Sequence, residues 1–400
     1  MSPTPVTFTP PDGPASYSWE ATDEEVSARY GIPPEQVVRF DLNTSPSPPA
    51  LVARLLEAGR FETPLSEYPP SDYRRLVGAA AARYGVGTDE LVVGAGADEI
   101  LDIIGKVYLP AGGAAVIPVP SYAMYRVITE QRAARAVAVP RQGPDAGYAM
   151  DVQAVRAAAA DAQVVWLCSP NNPTALPEPD GAIEDLLSAI AADAAAAGRP
   201  PAMVVLDEAY AEFVDRSLVD LRLRFGNLIV VRTASKAYAL AGLRVGFAVA
   251  RLDVVARLNP MRPPGSVSTV SVTIVTEALL DPTIAAANVA RVKRERERLR
   301  AALAGIGWRP GPSVTNFVLV DFGSVERAAA AAEGLLRRGL VPRSFPASHP
   351  LADHLRLTFR ADGEDDRLIA AARDIDLPPE ETPRQPPSAR SRSRTGPAAA

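Results

Sequence analysis

The 400-residue chain is 47% hydrophobic and 22% charged, the balance of a soluble globular enzyme with room for two or three domains. A net charge of −5 argues against a dedicated nucleic-acid binder. The single cysteine (Cys168) excludes an intrachain disulfide, and two histidines, His349 and His354, exclude a His- or Cys-rich metal site. No apolar run approaches the roughly 18 residues of a membrane span. Met1 to Pro14 lacks the apolar stretch of a secretory signal, so a cytoplasmic protein is expected.

In chain order, residues 1–15 read as a disordered start, polar and rich in proline. A glycine-rich turn, Gly94-Ala95-Gly96, then precedes a helix. Ala115–Val119 is a short apolar run followed by a helical stretch from Tyr122, and Ala136–Val139 is another apolar run. Val164–Leu167 ends in Ser169-Pro170-Asn171-Asn172-Pro173, turn formers that must leave a sheet. An alanine-rich helix over Ile183–Ala197 leads to the buried-strand run Met203–Leu206, and Leu228–Val231 and Val245–Val249 complete the set. Such alternation predicts a mostly parallel α/β sheet. From Ser271 to about Ala304 a long helical stretch is expected, its charge run Arg291–Arg300 forming a solvated face laced with i,i+4 pairs. Strand, helix, strand and helix over Phe317–Val320, Val325–Arg338, Leu355–Phe359 and Asp365–Arg373 predict a smaller α+β domain. Residues 378–400, with Ser391-Arg392-Ser393-Arg394, read as a solvated disordered tail. No internal repeat is visible.

The chemistry is narrowed by lysine. Of 42 basic residues only Lys106, Lys236 and Lys293 are lysine, so the chain uses arginine wherever a generic positive charge suffices. Arginine stays protonated, whereas a lysine can be tuned to act as an amine nucleophile. In open α/β sheets ligands bind outside the carboxyl ends of the strands. The residues following the apolar runs are Asp207-Glu208-Ala209-Tyr210, Thr233-Ala234-Ser235-Lys236 and Asn171-Asn172. Together with Gly96-Ala97-Asp98-Glu99 they suit a phosphorylated aldehyde held by a lysine as a Schiff base. A dinucleotide turn is disfavoured, because Glu99 stands where the third glycine of G-x-G-x-x-G belongs.

These segments resemble the fold-type I, pyridoxal-phosphate-dependent aminotransferases of class I/II, and most of all the histidinol-phosphate aminotransferase branch. The likeness is carried by Gly96–Glu99, Pro120-Ser121-Tyr122-Ala123-Met124-Tyr125, Ser169–Thr174, Asp207–Phe213 and Ser235–Arg244, in family order. It implies a mostly parallel seven-stranded sheet between helices in a large cofactor-binding domain over 66–285. A smaller α+β domain would cover 286–377, with residues 16–65 as an arm and part of that small domain. Lys236 would carry pyridoxal 5'-phosphate and shuttle the proton, Asp207 would hold the ring nitrogen, and Tyr210 and Asn172 the phenolic oxygen. Tyr122 would stack on the ring. The phosphate would lie on the amides of Ala97 and Asp98, with Ser235, Arg244 and Thr233 around it, and with Tyr68 arriving from the other subunit of a homodimer. Arg356 would bind the α-carboxylate, Arg343 the distal group of the substrate, and Asn43 and Tyr17 would line the site from the arm. The implied activity is ping-pong amino transfer to a 2-oxo acid such as 2-oxoglutarate, with no nucleic-acid or membrane partner. A decarboxylase of the threonine-phosphate type shares these motifs, and a non-catalytic regulator would need a DNA-binding domain that the N-terminus has no room for.

Four positions depart from the family pattern. Ala175 and Arg360 replace glycines, Asn43-Thr44-Ser45-Pro46 lacks an acid, and Gly265 stands in place of a tyrosine that helps bind the substrate phosphate. The expected consequence is only a modest preference for histidinol phosphate over aromatic amino acids.

Overall fold

The computed structural model describes residues 16–379; the segments 1–15 and 380–400, including most of the expected tail, lie outside the described residues. Short runs of valine, leucine and isoleucine cannot be satisfied with one face in water, and here they form inner strands buried on both faces, while the edge strand Arg135–Pro140 is only partly buried. In chain order the strands are β1 (Val38–Arg39), β2 (Leu91–Gly94), β3 (Ala114–Val119), β4 (Arg135–Pro140), β5 (Val164–Cys168) and β6 (Met203–Asp207). They continue as β7 (Leu228–Thr233), β8 (Gly246–Val249), β9 (Arg309–Pro310), β10 (Phe317–Asp321), β11 (Leu340–Val341) and β12 (His354–Thr358). The helices are α1 (Asp23–Tyr30), α2 (Leu51–Ala58), α3 (Arg74–Tyr84), α4 (Gly96–Tyr108), α5 (Met124–Gln131) and α6 (Val152–Ala159). They continue as α7 (Ala182–Ala196), α8 (Leu252–Leu258), α9 (Thr269–Leu280), α10 (Pro282–Gly305), α11 (Val325–Leu336) and α12 (Asp362–Arg373).

Seven strands make the central sheet, in the order β2-β8-β7-β6-β5-β3-β4. All its pairs are parallel except those of β8, which runs antiparallel to both β2 and β7. The chain steps from β3 outward to β4, then returns past β3 to β5, so the order reverses between β3 and β5. A crevice opens at the carboxyl end of such a switch point. The loops leaving these two strands are stitched together there, Ser121 Oγ donating to Asn171 Oδ1 at 3.0 Å and Asn171 Nδ2 to Pro120 O at 3.1 Å.

A second, antiparallel sheet has the order β12-β10-β9, and β1 pairs in parallel with β11. That small pairing matters. It carries the segment after β1 past the second sheet, where Phe40 O accepts the N–H of Thr358, and delivers Asn43 into the space between the sheets.

Two expectations are corrected. The long helical stretch expected from Ser271 is two helices, α9 and α10, bent by 81°. Proline is tolerated at the first helical position but ends whatever precedes it, and Pro282 follows Asp281, whose side chain caps Thr283 N at 2.9 Å. Second, the Arg291–Arg300 run is a solvated face only in part: Lys293, Arg294 and Glu297 are exposed, but the ion pairs within it are Arg298–Glu295 and Arg300–Glu297 at i,i+3 and Arg296–Glu297 between neighbours, rather than i,i+4 pairs. Arg298 bonds Glu295 three residues back and Asp366 on α12, Arg300 bonds Gly311 O, and Arg291 bonds Arg360 O. The run is the joint that docks α12 and the second sheet on α10. Among the described residues no single helix is long and apolar enough to cross a membrane; α9 and α10 pass such a test only as a bent pair, and α9 is buried against α3.

Candidate active site

Strand ends at the switch point supply the floor of one cavity of about 580 Å³. It brings together Ala97, Asp98, Tyr122, Asn172, Asp207, Tyr210, Thr233, Ser235, Lys236 and Arg244 from the central sheet. Arg356 reaches it from β12 of the second sheet, Arg343 from the segment after β11, and Tyr17 and Asn43 from the N-terminal segment. Of the residues expected to hold cofactor or substrate, Tyr68 alone is not brought in; it is 89% exposed on the surface.

Lys236 follows β7 on a short turn, and Asn288 of α10 holds that turn by donating Nδ2 to the carbonyls of Lys236 and Ala237 at 3.2 and 3.0 Å. Its Nζ donates to Asn43 O at 3.2 Å. Burial lowers its pKa from 10.5 to about 8; Arg356 and Arg244 push the same way, while Asp98 and Asp207 oppose them. Near neutral pH roughly a tenth of this lysine would be the free amine, far more than for an ordinary lysine with a pKa of about 10.4.

Asp207 ends β6. Its Oδ1 accepts the Ala209 N–H at 3.0 Å and its Oδ2 the Tyr125 hydroxyl at 2.9 Å. Burial raises its pKa to about 6, against the pull of those two hydrogen bonds. Tyr125 carries no role in the sequence reading. The signal was the spacing Tyr122-x-x-Tyr125, which places Tyr125 one turn beyond Tyr122. Its ring stacks on Trp166 at 5.7 Å and stands edge-on to Tyr122 at 5.6 Å. Tyr122 itself lies two residues ahead of α5 and donates its hydroxyl to Asp98 Oδ1 at 3.0 Å.

At the other end α4 opens with Gly96, which adopts φ 83°. A Cβ there would stand 2.4 Å from Arg244 Nη2, and one on Gly246 would stand 2.5 Å from the Gly96 carbonyl carbon. Only glycine allows β8, Arg244 and the helix start to close on one another. The free amides of Ala97 and Asp98, the hydroxyls of Thr233 and Ser235 (2.9 Å apart) and the Arg244 guanidinium, which pairs with Asp98 at 3.0 Å, all border the cavity. Helix-start amides with hydroxyls and a cation form an anion cup.

Arg356 is buried. Nη1 donates to Asn172 Oδ1 at 2.6 Å, Nη2 to Asp41 O, and the buried Nε has no partner. Asn43, at φ 54°, donates Nδ2 to Tyr210 Oη at 3.1 Å. Trp19 and Met124 also line the cavity, and no sequence signal marked Trp19.

The model of the aminotransferase class I and II family matches residues 37–375. The chain belongs to that family. A histidinol-phosphate aminotransferase of Roseiflexus castenholzii is 34% identical over 363 residues, covering 88% of this chain and 93% of that protein. The crystal structure of the Sinorhizobium meliloti histidinol-phosphate aminotransferase in complex with pyridoxal-5'-phosphate superposes with a TM-score of 0.79 at 26% identity, over 90% of this chain and 95% of that one. An L-threonine-O-3-phosphate decarboxylase from Porphyromonas gingivalis shares the fold, with a TM-score of 0.68 at 22% identity over 84% of this chain and 98% of that one. This aminotransferase is therefore a pyridoxal-phosphate enzyme of fold type I. Its residues fit the cofactor: a buried amine, a buried carboxylate, and an anion cup bordered by Gly96, Gly246 and Arg244, which pack too closely to admit a Cβ on either glycine.

Proposed function

We propose that this aminotransferase moves an amino group, in ping-pong order, between an amino acid or a histidinol-phosphate-like amine and a 2-oxo acid such as 2-oxoglutarate. One observation carries the reading: Lys236, with its lowered pKa, shares a single cavity with the Asp207 carboxylate and the buried Arg356 guanidinium. When bound, pyridoxal phosphate supplies an electron sink that loosens the hydrogen on the substrate Cα.

The side chains do the rest. Lys236 Nζ would take that hydrogen as a proton and return it on the far side of the amino nitrogen, at C4′. Asp207, kept charged by Tyr125 and Ala209, holds a proton on the ring nitrogen. Tyr210 and Asn172 orient the phenolic oxygen, and Tyr122 packs against the ring. The amides of Ala97 and Asp98, with Thr233, Ser235 and Arg244, hold the phosphate. Arg356, with Nε unpartnered, binds the α-carboxylate. Arg343, Asn43 and Tyr17 face the remainder of the substrate.

In this reading the enzyme is a cytoplasmic homodimer, with the exposed Tyr68 crossing to the phosphate of a second copy. The arm is 16–65, the large domain 66–285 and the small domain 286–377. A screen of amines against 2-oxoglutarate, read as glutamate formed, tests the function. Glutamate should appear with at least one donor. Release of carbon dioxide without glutamate would establish the decarboxylase instead.

A further inference from the structure

The turn that carries Lys236 is not held by regular secondary structure. Ala239 closes it at φ 58°, a left-handed conformation that a residue with a Cβ keeps only when its surroundings hold it there. Within the turn the Ala239 N–H donates to Lys236 O at 3.1 Å. The remaining support comes from another element. Asn288, in the second turn of α10, spends both N–H groups on this main chain, one on Lys236 O and one on Ala237 O.

The Asn288 amide has one way to lie. Its Oδ1 accepts from Arg291 Nη2 and Nε at 3.0 and 3.3 Å and from the Ser45 hydroxyl at 3.2 Å. Only the amide oxygen can accept from those donors, so Nδ2 is left for the two carbonyls. The partners are themselves anchored. Arg291 gives Nη1 to Arg360 O, two residues past the end of β12, the strand that bears Arg356. Ser45 lies two residues beyond Asn43, whose carbonyl accepts Lys236 Nζ. Asn288 thus joins the main chain of the lysine to the two segments that face its amine. It does not border the cavity, so it can act on the chemistry only through the turn.

We propose that Asn288 is a positioning residue for Lys236, its two N–H groups fixing the main chain from which the amine reaches the proton it moves. This rests on the reading of Lys236 as the proton carrier of an amino transfer. A displacement of about an ångström at a reacting group can slow its step by roughly a hundredfold, so a turn held at two carbonyls bears directly on the rate.

L-Glutamate and L-glutamate deuterated at Cα serve as probes, in single turnovers of the holoenzyme followed by the visible absorbance of the bound cofactor. Asn288→Asp is nearly isosteric; it keeps the acceptor toward Arg291 and Ser45 and loses both donors. Its turnover should be slower by roughly ten- to a hundredfold, with a deuterium effect at least as large as the parent's, because proton transfer is the step that suffers. A rate within about twofold of the parent overturns the proposal, as does a slow rate whose deuterium effect has shrunk, since another step would then be limiting. A second readout needs no donor. With Lys106, Lys236 and Lys293 the only lysines, the full-length apoprotein labelled with carbon-13 at lysine Cε gives one resonance for each, and Lys236→Met identifies that of Lys236. Asn288→Ala is used here, because an added carboxylate would itself raise the amine's pKa. Freed from its fixed turn the amine reaches water, and its pKa should climb from about 8 toward 10.5 by about half a unit or more. Where glutamate reacts, the deuterium measurement decides. If glutamate leaves the parent cofactor unchanged, the fault lies with the amino-transfer reading; the titration then decides on Asn288 by itself, and an unmoved pKa overturns the proposal.

Discussion

A lysine held at a pKa of about 8 has a cost that can be measured without cofactor. Above pH 8 the folded chain releases the Lys236 proton, while the unfolded chain keeps it until near 10.5. The unfolded state then binds more protons, and stability rises with pH across that window. The apoprotein should therefore gain up to about 3 kcal/mol between pH 8 and 10.5 relative to Lys236→Met, read from urea unfolding of both. A difference that stays flat across the window would show that the amine is ordinary. Arg356 makes a separate demand. Its guanidinium is fixed by Asn172 and Asp41, and a lysine there presents one charge without the planar fork. Arg356→Lys should lower kcat/KM for every amino-acid donor by roughly ten- to a hundredfold, equivalent to about 1.5–3 kcal/mol. A loss confined to one donor would move the α-carboxylate elsewhere.

Among the elements, the α10–α12 joint carries a titrating group of its own. Asp365 is fully buried, accepts the Arg360 N–H at 3.1 Å, and faces the nearly buried Glu295 of α10. Burial and the neighbouring acid raise its pKa to about 8, well above its ordinary 3.8, with Arg360 N and Arg298 pulling the other way. A carboxyl that keeps its proton in the fold stabilises at low pH and loses that contribution as pH rises toward 8. Asp365→Asn should therefore melt about 2–4 °C above the parent at pH 8, with the gap closing by pH 5. Equal melting at both values would show that the pair ionises freely. Nothing in the sequence pointed to this joint, because a run of arginines and glutamates reads the same whether its partners are solvent or another helix. The bend at Pro282, by contrast, was legible and passed over, since Asp-Pro is a cap followed by a helix-starting residue. Six of the seven strands of the central sheet were read nearly to the residue, being continuous apolar runs bounded by turn formers, while β2, only four residues long, was not marked. Ala175 shows the limit of motif reading. It stands at φ 64°, so the backbone keeps the left-handed turn that a glycine would take there even though the side chain changed.

At the scale of the whole molecule, the motifs at the strand ends were legible because the sheet topology alone sends them to one edge. The placement of residues 17–20 at the cavity was not, because its contacts span more than 320 residues of sequence, from Ser18 and Glu20 to Arg343 and Ser344. Assembly gives a further test. Tyr68 is exposed and does not border its own chain's cavity, as expected if it completes a neighbour's. Mixing Tyr68→Phe subunits with Lys236→Ala subunits should yield hybrid dimers in which the one intact lysine is served by an intact tyrosine. Activity per lysine in the mixture should then exceed that of the Tyr68→Phe protein by several-fold. Strict additivity of the two parents would show that each chain keeps its own Tyr68.

Arg343 and Arg356 face each other across a single antiparallel bridge, each donating its N–H to the other's carbonyl at 3.0 and 2.9 Å. Directly opposed residues of such a pair project their side chains to the same side. The two side chains therefore start from one paired piece of main chain whose spacing is set by the bridge. Any change in the distance between the two guanidinium groups must come from rotation of the side chains, and the half-buried Arg343 has more room for that than the buried Arg356.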